Sequence, residues 1–313
     1  MALHKFFAMN TPFFTNGLPP GAQEMAESWF AAVEGKLSRF NPGSELSLLN
    51  CSAGQPFIAS SLLYEAIAEA NRYYDSTEGL FNPYLGHVIR QLGYSKSFEK
   101  LAQPAEDGPV APALPYDCAV PVTLHADASS IALHPKVSLD LGGFGKGWSA
   151  HQLSLMLQQA GIRSGAIGAG GDISLWGVPD AGWTVSIGDP WDESRDVMTL
   201  RVRYPGGIAT SSTVKRKWTD RYGQSRHHIL HPRTGLPAVS DLAQVTLFAP
   251  DLADAEVYAK CVLILGSRQG FEWLTGRYPA CAAIGILHDG SIRKVGAIGQ
   301  YVEEGGIRYE CGC

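Results

Sequence analysis

A lysine held among four glycines, in Asp140-Leu141-Gly142-Gly143-Phe144-Gly145-Lys146-Gly147, is the part of this chain whose residue types most directly suggest chemistry. Glycines let backbone amides come close to an anion, and the ammonium adds positive charge at the same place. The apolar run 137–139 just before it reads as a short strand. Leu153, Met156, Leu157 and Ala160, spaced as one helical face and stopping at Gly161, read as a helix that begins at the glycines. Such a helix turns the positive end of its dipole toward the same anion. Neither common phosphate motif fits. A Walker loop needs Gly where Asp140 stands and Ser or Thr where Gly147 stands, and a dinucleotide fingerprint needs a third glycine where Trp148 stands.

Three further clusters carry polar groups. Residues 168–173 make a second close backbone approach that ends in the carboxylate of Asp172, which either caps its own turn or faces a ligand. Residues 210–213 are four consecutive hydroxyls, followed by Lys215, Arg216 and Lys217. Residues 226–235 hold three histidines and two arginines, and end in a Pro-Arg-Thr-Gly turn. His227, His228 and His231 do not make a zinc-finger pattern, the run closes in a Pro-Arg-Thr-Gly turn, and no cysteine is near. A general base beside an anion site suits them better.

The elements that must position these groups alternate irregularly. Met25, Trp29, Phe30, Val33 and Leu37 mark one amphipathic helix, and Leu63, Ile67, Ala70 and Tyr74 another. Strand-like runs lie at 119–124, 173–176, 183–187, 197–202, 245–248 and 282–287. The pattern predicts an α+β fold with a mixed, mainly antiparallel sheet. Residues 104–115, rich in Pro and Ala with no hydrophobic period, read as a surface connection within one domain spanning 1–313. At 313 residues, 45% apolar and 18% charged, the chain has the composition of an ordinary globular protein. A net charge of −5 without any Lys/Arg block argues against nucleic acid as a partner. No apolar run is long enough to span a membrane, and no cleavable apolar leader stands at the N-terminus, so a cytoplasmic location is expected. Cys118, Cys261 and Cys281 fit small buried hydrophobes, and Cys311 and Cys313 fit a frayed tail.

Taken together, the clusters resemble one family, the ApbE-type FAD:protein FMN transferases. The resemblance rests on Ala8-Met9-Asn10-Thr11, on residues 38–46 (Ser-Arg-Phe-Asn-Pro-Gly-Ser-Glu-Leu) and on Gly79-Leu80-Phe81-Asn82-Pro83. Residues 140–147 and the run His228-Ile229-Leu230-His231-Pro232-Arg233-Thr234-Gly235 complete it, all in the family's order and spacing. It implies a two-lobed α+β enzyme that binds FAD as substrate, opens its pyrophosphate, and attaches FMN to a Thr or Ser of a flavin-accepting protein with release of AMP. By motif position Met9, Phe40, Leu80, Phe81, Asn82, Asp140, Lys146 and Ile229 line the FAD site. Phe40 takes the place of a frequent Tyr, Lys146 sits on phosphate, and His228 is the base, with His227 and His231 as neighbouring competitors.

The same resemblance implies Mg²⁺, held by an Asp, by a Thr four residues later, and by the backbone carbonyl at the position of Gly143. Here the Asp is Glu256 and the Thr is Lys260. An ammonium has three donors and no acceptor, so it cannot ligate a cation. The metal positions therefore reduce to Gly143 and Glu256, with Lys260 standing where a ligand belongs. Residues 255–265 are apolar nearly all round apart from this pair, which predicts a buried helix whose two charges face a polar cavity. On that reading Lys260 is a catalytic cation, since a unit charge about 4 Å from a phosphate oxygen contributes on the order of 4 kcal/mol at an effective dielectric near 20. The alternatives are an FAD-binding homologue without transferase activity and an FAD pyrophosphatase.

Overall fold

Two strands with every residue buried, β13 (Leu242–Ala249) and β14 (Ala282–Leu287), run through the middle of the molecule. A strand buried on both sides needs a covering layer on each face, and successive side chains serve the two faces in turn. Val245, Leu247 and Ala249 enter one apolar core; Phe248, with Ala282, Ile284 and Ile286 of β14, enters a second core on the opposite face. The computed structural model describes residues 3–52, 54–92, 120–215, 217–219 and 225–309. The connection expected at 104–115, Arg216, Cys118, Cys311 and Cys313 lie outside the described residues.

These strands belong to an eight-stranded sheet. Its order is β1 (His4–Ala8), β2 (Thr11–Asn16), β6 (Gly165–Ala169), β7 (Asp172–Trp176), β10 (Gly206–Ser212), β13, β14 and β15 (Ile292–Gly296). The second core is closed by a three-stranded sheet of β16 (Val302–Tyr309), β9 (Asp196–Val202) and β8 (Trp183–Gly188), through Val185, Ile187, Met198, Leu200 and Val202. A smaller sheet joins β3 (Phe57–Ile58), β5 (Ser130–Leu133) and β4 (Val122–His125), and β11 (Lys217–Thr219) pairs with β12 (Ser225–His227). Every ladder among the described residues is antiparallel; the parallel element is one isolated bridge between Leu85 and Ser138. The fold is α+β, as the pattern predicts.

Among the described residues six α-helices complete it: α1 (Pro20–Leu37), α2 (Glu45–Asn50), α3 (Ser61–Ser76), α4 (Gly86–Gln91), α5 (Gly145–Gln159) and α6 (Leu252–Arg277). In α1 the buried face is Ala22, Ala26, Phe30, Val33 and Leu37, while Met25 is exposed; in α3 it is Tyr73, and not Tyr74, that is buried. In α5 Leu153 and Leu157 are buried, Met156 only partly so, and Ala160 is exposed. The last turn has rotated away from the core that the first turns share with α6. Helix α6 is buried over most of its length and breaks at Gly266 (φ +78), where the Asp241 carboxylate accepts from the Ser267 N–H at 2.7 Å and restarts the helix. None of the described helices is long and apolar enough to cross a membrane.

The strand expected at 137–139 does not form a ladder. The segment is extended but is tied down singly: Asn50 donates to the Leu139 carbonyl and accepts from its N–H, Gly86 N–H donates to Ser138, and Asp140 N–H donates to Pro83. Side-chain and loop partners replace a sheet neighbour here. Cys261 and Cys281 are buried, and Cys51, just after α2, is exposed.

Candidate functional site

The glycine turn is held by charge before any ligand arrives. Asp140 accepts from the Gly142 N–H at 2.7 Å and pairs with Arg39 at 2.8 Å, while the Arg39 guanidinium lies 4.0 Å from the centre of the Phe40 ring. Helix α5 then begins at Gly145 and crosses α6 closely. A Cβ on Gly147 would stand 2.7 Å from the Leu252 carbonyl oxygen and 2.8 Å from Glu256 Oε2, so only glycine fits. The Gly147 N–H donates to that same Oε2 at 2.7 Å. At this point the helix N-terminus, expected from the sequence to meet a ligand anion, meets the chain's own Glu256.

Glu256 gathers two ammonium groups as well. Lys146 Nζ donates to Glu256 Oε1 at 2.8 Å and stands 4.0 Å from Asp172 Oδ2. Lys260, one turn further along α6, donates to Oε1 at 3.3 Å and to the Glu256 backbone carbonyl at 3.2 Å. Its stem passes over Gly143, where a Cβ would meet Lys260 Cε at 3.1 Å. Asp172 accepts from the Thr210 N–H at 2.9 Å, and the Thr210 and Thr246 hydroxyls lie 2.8 Å apart.

Burial and charge pull these groups apart electrostatically. Burial alone would raise the Glu256 carboxyl, but Lys146, Lys260 and the Gly147 N–H outweigh it and hold it at about 2. Burial pushes Asp172 up to about 6, against the pull of Lys146 and with a further push from Glu256. Burial also lowers the Lys260 ammonium, with Glu256 opposing and Lys146 adding repulsion. The two carboxylates of one cluster thus titrate far apart, Asp172 taking up its proton well above Glu256, a separation of the kind found in sites with distinct roles for their acids.

One cavity of about 320 Å³ opens onto this cluster, a size in the range of small-molecule sites. Phe40, Leu80, Phe81, Ile229 and Ile264 supply an apolar wall, and Lys146, Lys260, Asp172 and Glu256 a charged one. Of the twelve site residues expected from sequence, all but Met9 line it: Phe40, Leu80, Phe81, Asn82, Asp140, Gly143, Lys146, His228, Ile229, Glu256 and Lys260. Met9 sits behind the turn. Its N–H donates to Glu34 at 2.8 Å and its thioether faces Ser149 and Gly145. The cavity also takes in Arg39, Thr210, Ser211, Ser212, Lys215 and Gln244. The hydroxyl run and Asp172 are visible in the sequence as polar clusters, but only the pairing of β10 with β7 and β13 brings them to the lysines.

The three histidines separate by position. The His227 ring nitrogen Nε2 bonds the Ala238 carbonyl at 3.1 Å, and burial lowers its pKa. His231 lies in the turn closed by Gly235 (φ +66), whose N–H donates to the His231 carbonyl, and its ring accepts from the Arg233 N–H. Of the three only His228 lines the cavity, just after β12, and the buried Ile229 and Leu230 that follow it line the cavity too and anchor the segment.

The ApbE family profile matches residues 7–284. The chain belongs to the ApbE family. Among similar proteins, the FAD:protein FMN transferase of Treponema pallidum is 29% identical over 280 residues, covering 84% of this chain and 76% of that protein. The FAD:protein FMN transferase of Rhodobacter capsulatus is 27% identical, covering 86% of this chain and half of that longer protein. Among solved structures, the ApbE protein of Thermotoga maritima aligns with a TM-score of 0.81 at 22% identity over 94% of this chain and 96% of the other. The flavin transferase ApbE of Vibrio cholerae aligns at 0.76 and 21% over 96% and 97%. These two likenesses confirm the fold.

The Mg²⁺ that the ApbE resemblance implies does not fit the residues present. A magnesium ion demands near-octahedral oxygen ligation at about 2.0–2.1 Å. Both Glu256 oxygens already accept from cations or an amide, and the Lys260 stem covers Gly143. Among the described residues no cluster of three His, Cys, Asp or Glu side chains is arranged to hold a metal.

Proposed function

We propose that this chain is an FAD:protein FMN transferase, attaching FMN from FAD to a Thr or Ser hydroxyl of an acceptor protein and releasing AMP. Membership of the ApbE family supports the reaction class, as does the name shared by the relatives. The observation that carries the reading is a cavity that joins an apolar aromatic wall to a lysine wall and is lined by one of the three clustered histidines, His228. Flat ring systems suit the first wall and a pyrophosphate the second.

The acceptor oxygen attacks the phosphorus on the FMN side, and the bond from that phosphorus to the bridging oxygen breaks. AMP departs with the bridging oxygen, and the hydroxyl proton passes to His228. Phe40, Leu80, Phe81 and Ile229 hold the flavin half and exclude water; Asp140 and Arg39 keep the glycine turn in place. Holding the acceptor hydroxyl in line with the scissile bond removes much of the entropic part of the barrier.

The test is incubation with FAD and a flavin-accepting domain, read by in-gel fluorescence and mass. A fluorescent adduct of FMN mass is expected. His228→Ala should cut its rate by about 10²- to 10⁴-fold with FAD affinity nearly intact. FAD split to FMN and AMP without adduct would make the protein a pyrophosphatase, and FAD recovered whole would make it a flavin-binding protein.

A further inference from the structure

Glu256 is the most heavily bonded carboxylate of the cavity, and its partners are unequal. The Gly147 N–H and the Lys146 ammonium, both from the first turn of α5, hold it at 2.7 and 2.8 Å. Lys260 bonds it at 3.3 Å and takes its backbone carbonyl at 3.2 Å, both long for a charged donor. The Lys260 ammonium is therefore the loosely held charge of the three. It reaches the cavity on a stem braced by Gly143, with 17% of the side chain exposed. Lys146, at 14% exposed, spans Glu256 and Asp172, the posture of a strut between α5, α6 and β7.

Charge balance points the same way. Two ammoniums against one ionised Glu256 leave one positive charge on this wall, or none when Asp172 is also ionised. A pyrophosphate diester brings two negative charges. A second cation is needed as the bridging bond opens and charge gathers on the departing phosphate, and a lysine that can leave Glu256 without stranding it meets that need. Glu256 keeps Lys146 and the Gly147 amide when Lys260 turns away.

We propose that the Lys260 ammonium, released from Glu256 onto the FAD pyrophosphate, does in this chain what a divalent ion would otherwise do, so that FAD binding and FMN transfer proceed without added metal. This rests on the transferase reading above. In the step, the acceptor oxygen forms its bond to the FMN phosphorus and the bond to the bridging oxygen breaks. Lys260 donates hydrogen bonds to the phosphate of the leaving AMP and keeps its own proton, while the acceptor's proton goes to His228. Lys260 neutralises charge without coordinating anything, so no ligand set has to be assembled, and Glu256 becomes its resting partner.

The experiment compares wild-type protein in EDTA and in millimolar Mg²⁺ by two readouts: FAD affinity from the quenching of flavin fluorescence, and adduct formation on a flavin-accepting domain. Affinity and rate are expected to agree within about twofold between the two conditions. Lys260→Gln should lower both by tenfold or more, with no rescue by Mg²⁺. Lys260→Thr combined with Glu256→Asp should make both respond to Mg²⁺. An FAD affinity that rises tenfold with Mg²⁺ in the wild type overturns the proposal whatever the transfer assay shows, and so does transfer abolished by EDTA. Absence of adduct in both conditions would instead overturn the transferase reading, and the affinity comparison, which needs no variant to fold, would still decide the role of Lys260.

Discussion

Helix α6 carries two carboxylates two residues apart, the half-buried Asp254 and the buried Glu256, and the protein holds them in opposite ways. Asp254 takes its side-chain hydrogen bonds from neutral hydroxyls, with the Arg72 charge acting on it without a hydrogen bond. Tyr73 gives it a hydrogen bond at 2.8 Å and Tyr258 another, while burial and the neighbouring Asp251 push its pKa up. Tyr258 stacks on Tyr278, and Tyr73 packs edge-on to Phe144 and Tyr258, so this side of the helix is an aromatic structural joint. Glu256 faces the other way, toward two ammoniums and an amide, and stays ionised down to about 2. Hydroxyl donors satisfy an acid without adding net charge, whereas ammoniums supply charge that a ligand can compete for. The difference marks which side of the helix is scaffold and which is site.

The comparison breaks most visibly at Lys146. Removing one member of a buried pair strands the other, at a cost of about 3–5 kcal/mol. Because Lys260 stays beside Glu256, Lys146→Met should fall at the low end, about 3 kcal/mol by urea denaturation, and should weaken FAD binding by about 1–3 kcal/mol in calorimetry. A stability loss under 1 kcal/mol would mean that the Gly147 amide and Lys260 alone suffice for Glu256, and the strut role would fall.

The two acids of the cavity sharpen the comparison through pH. Asp172 is raised from 3.8 to about 6, so the folded state holds its proton more tightly than the unfolded chain. Its contribution to stability is complete below 3.8 and is lost as pH rises through 6. Glu256, lowered from 4.5 to about 2, contributes above 4.5 and loses that contribution as pH falls toward 2. Asp172→Asn should therefore flatten a decline of up to about 3 kcal/mol between pH 4 and 6, while leaving the acid limb below 4 in place. Denaturation midpoints across that range measure it; an unchanged decline in the variant would assign the titration to another group.

Much of this was legible in the sequence where local pattern and final environment agree. The runs at 245–248 and 282–287 are strands, and the apolar character of 255–265 makes a buried helix whose Glu256 and Lys260 face the cavity. Strands β6 and β10 were not legible. Gly165 and Gly168 are small because Trp176 and Phe14 lie over them; a Cβ would come within 2.4 and 2.0 Å of those rings. That reason exists only after long-range pairing. The reverse holds at 137–139, where a strand-like run finds Asn50 and Gly86 as partners and no sheet. The Lys146 side chain, set among glycines, suggests a phosphate contact, and nothing local discloses that Glu256, 110 residues away, occupies it at rest.

The smallest effect belongs to the scaffold side and is the cleanest control. Tyr73→Phe removes one hydroxyl and keeps the ring, so the packing with Phe81, Phe144 and Tyr258 survives while Asp254 loses one of its two tyrosine donors. Losing a single such bond costs about 1 kcal/mol when the partner retains another donor. FAD affinity and transfer should be unchanged, because Tyr73 reaches the cavity only through the ring of Phe81, which the substitution leaves in contact. Paired urea and FAD titrations test both halves. A drop in FAD affinity alongside the modest stability loss would show that the Asp254 cluster sets the position of the cavity wall, and the division of α6 into a structural and a functional side would then have to be given up.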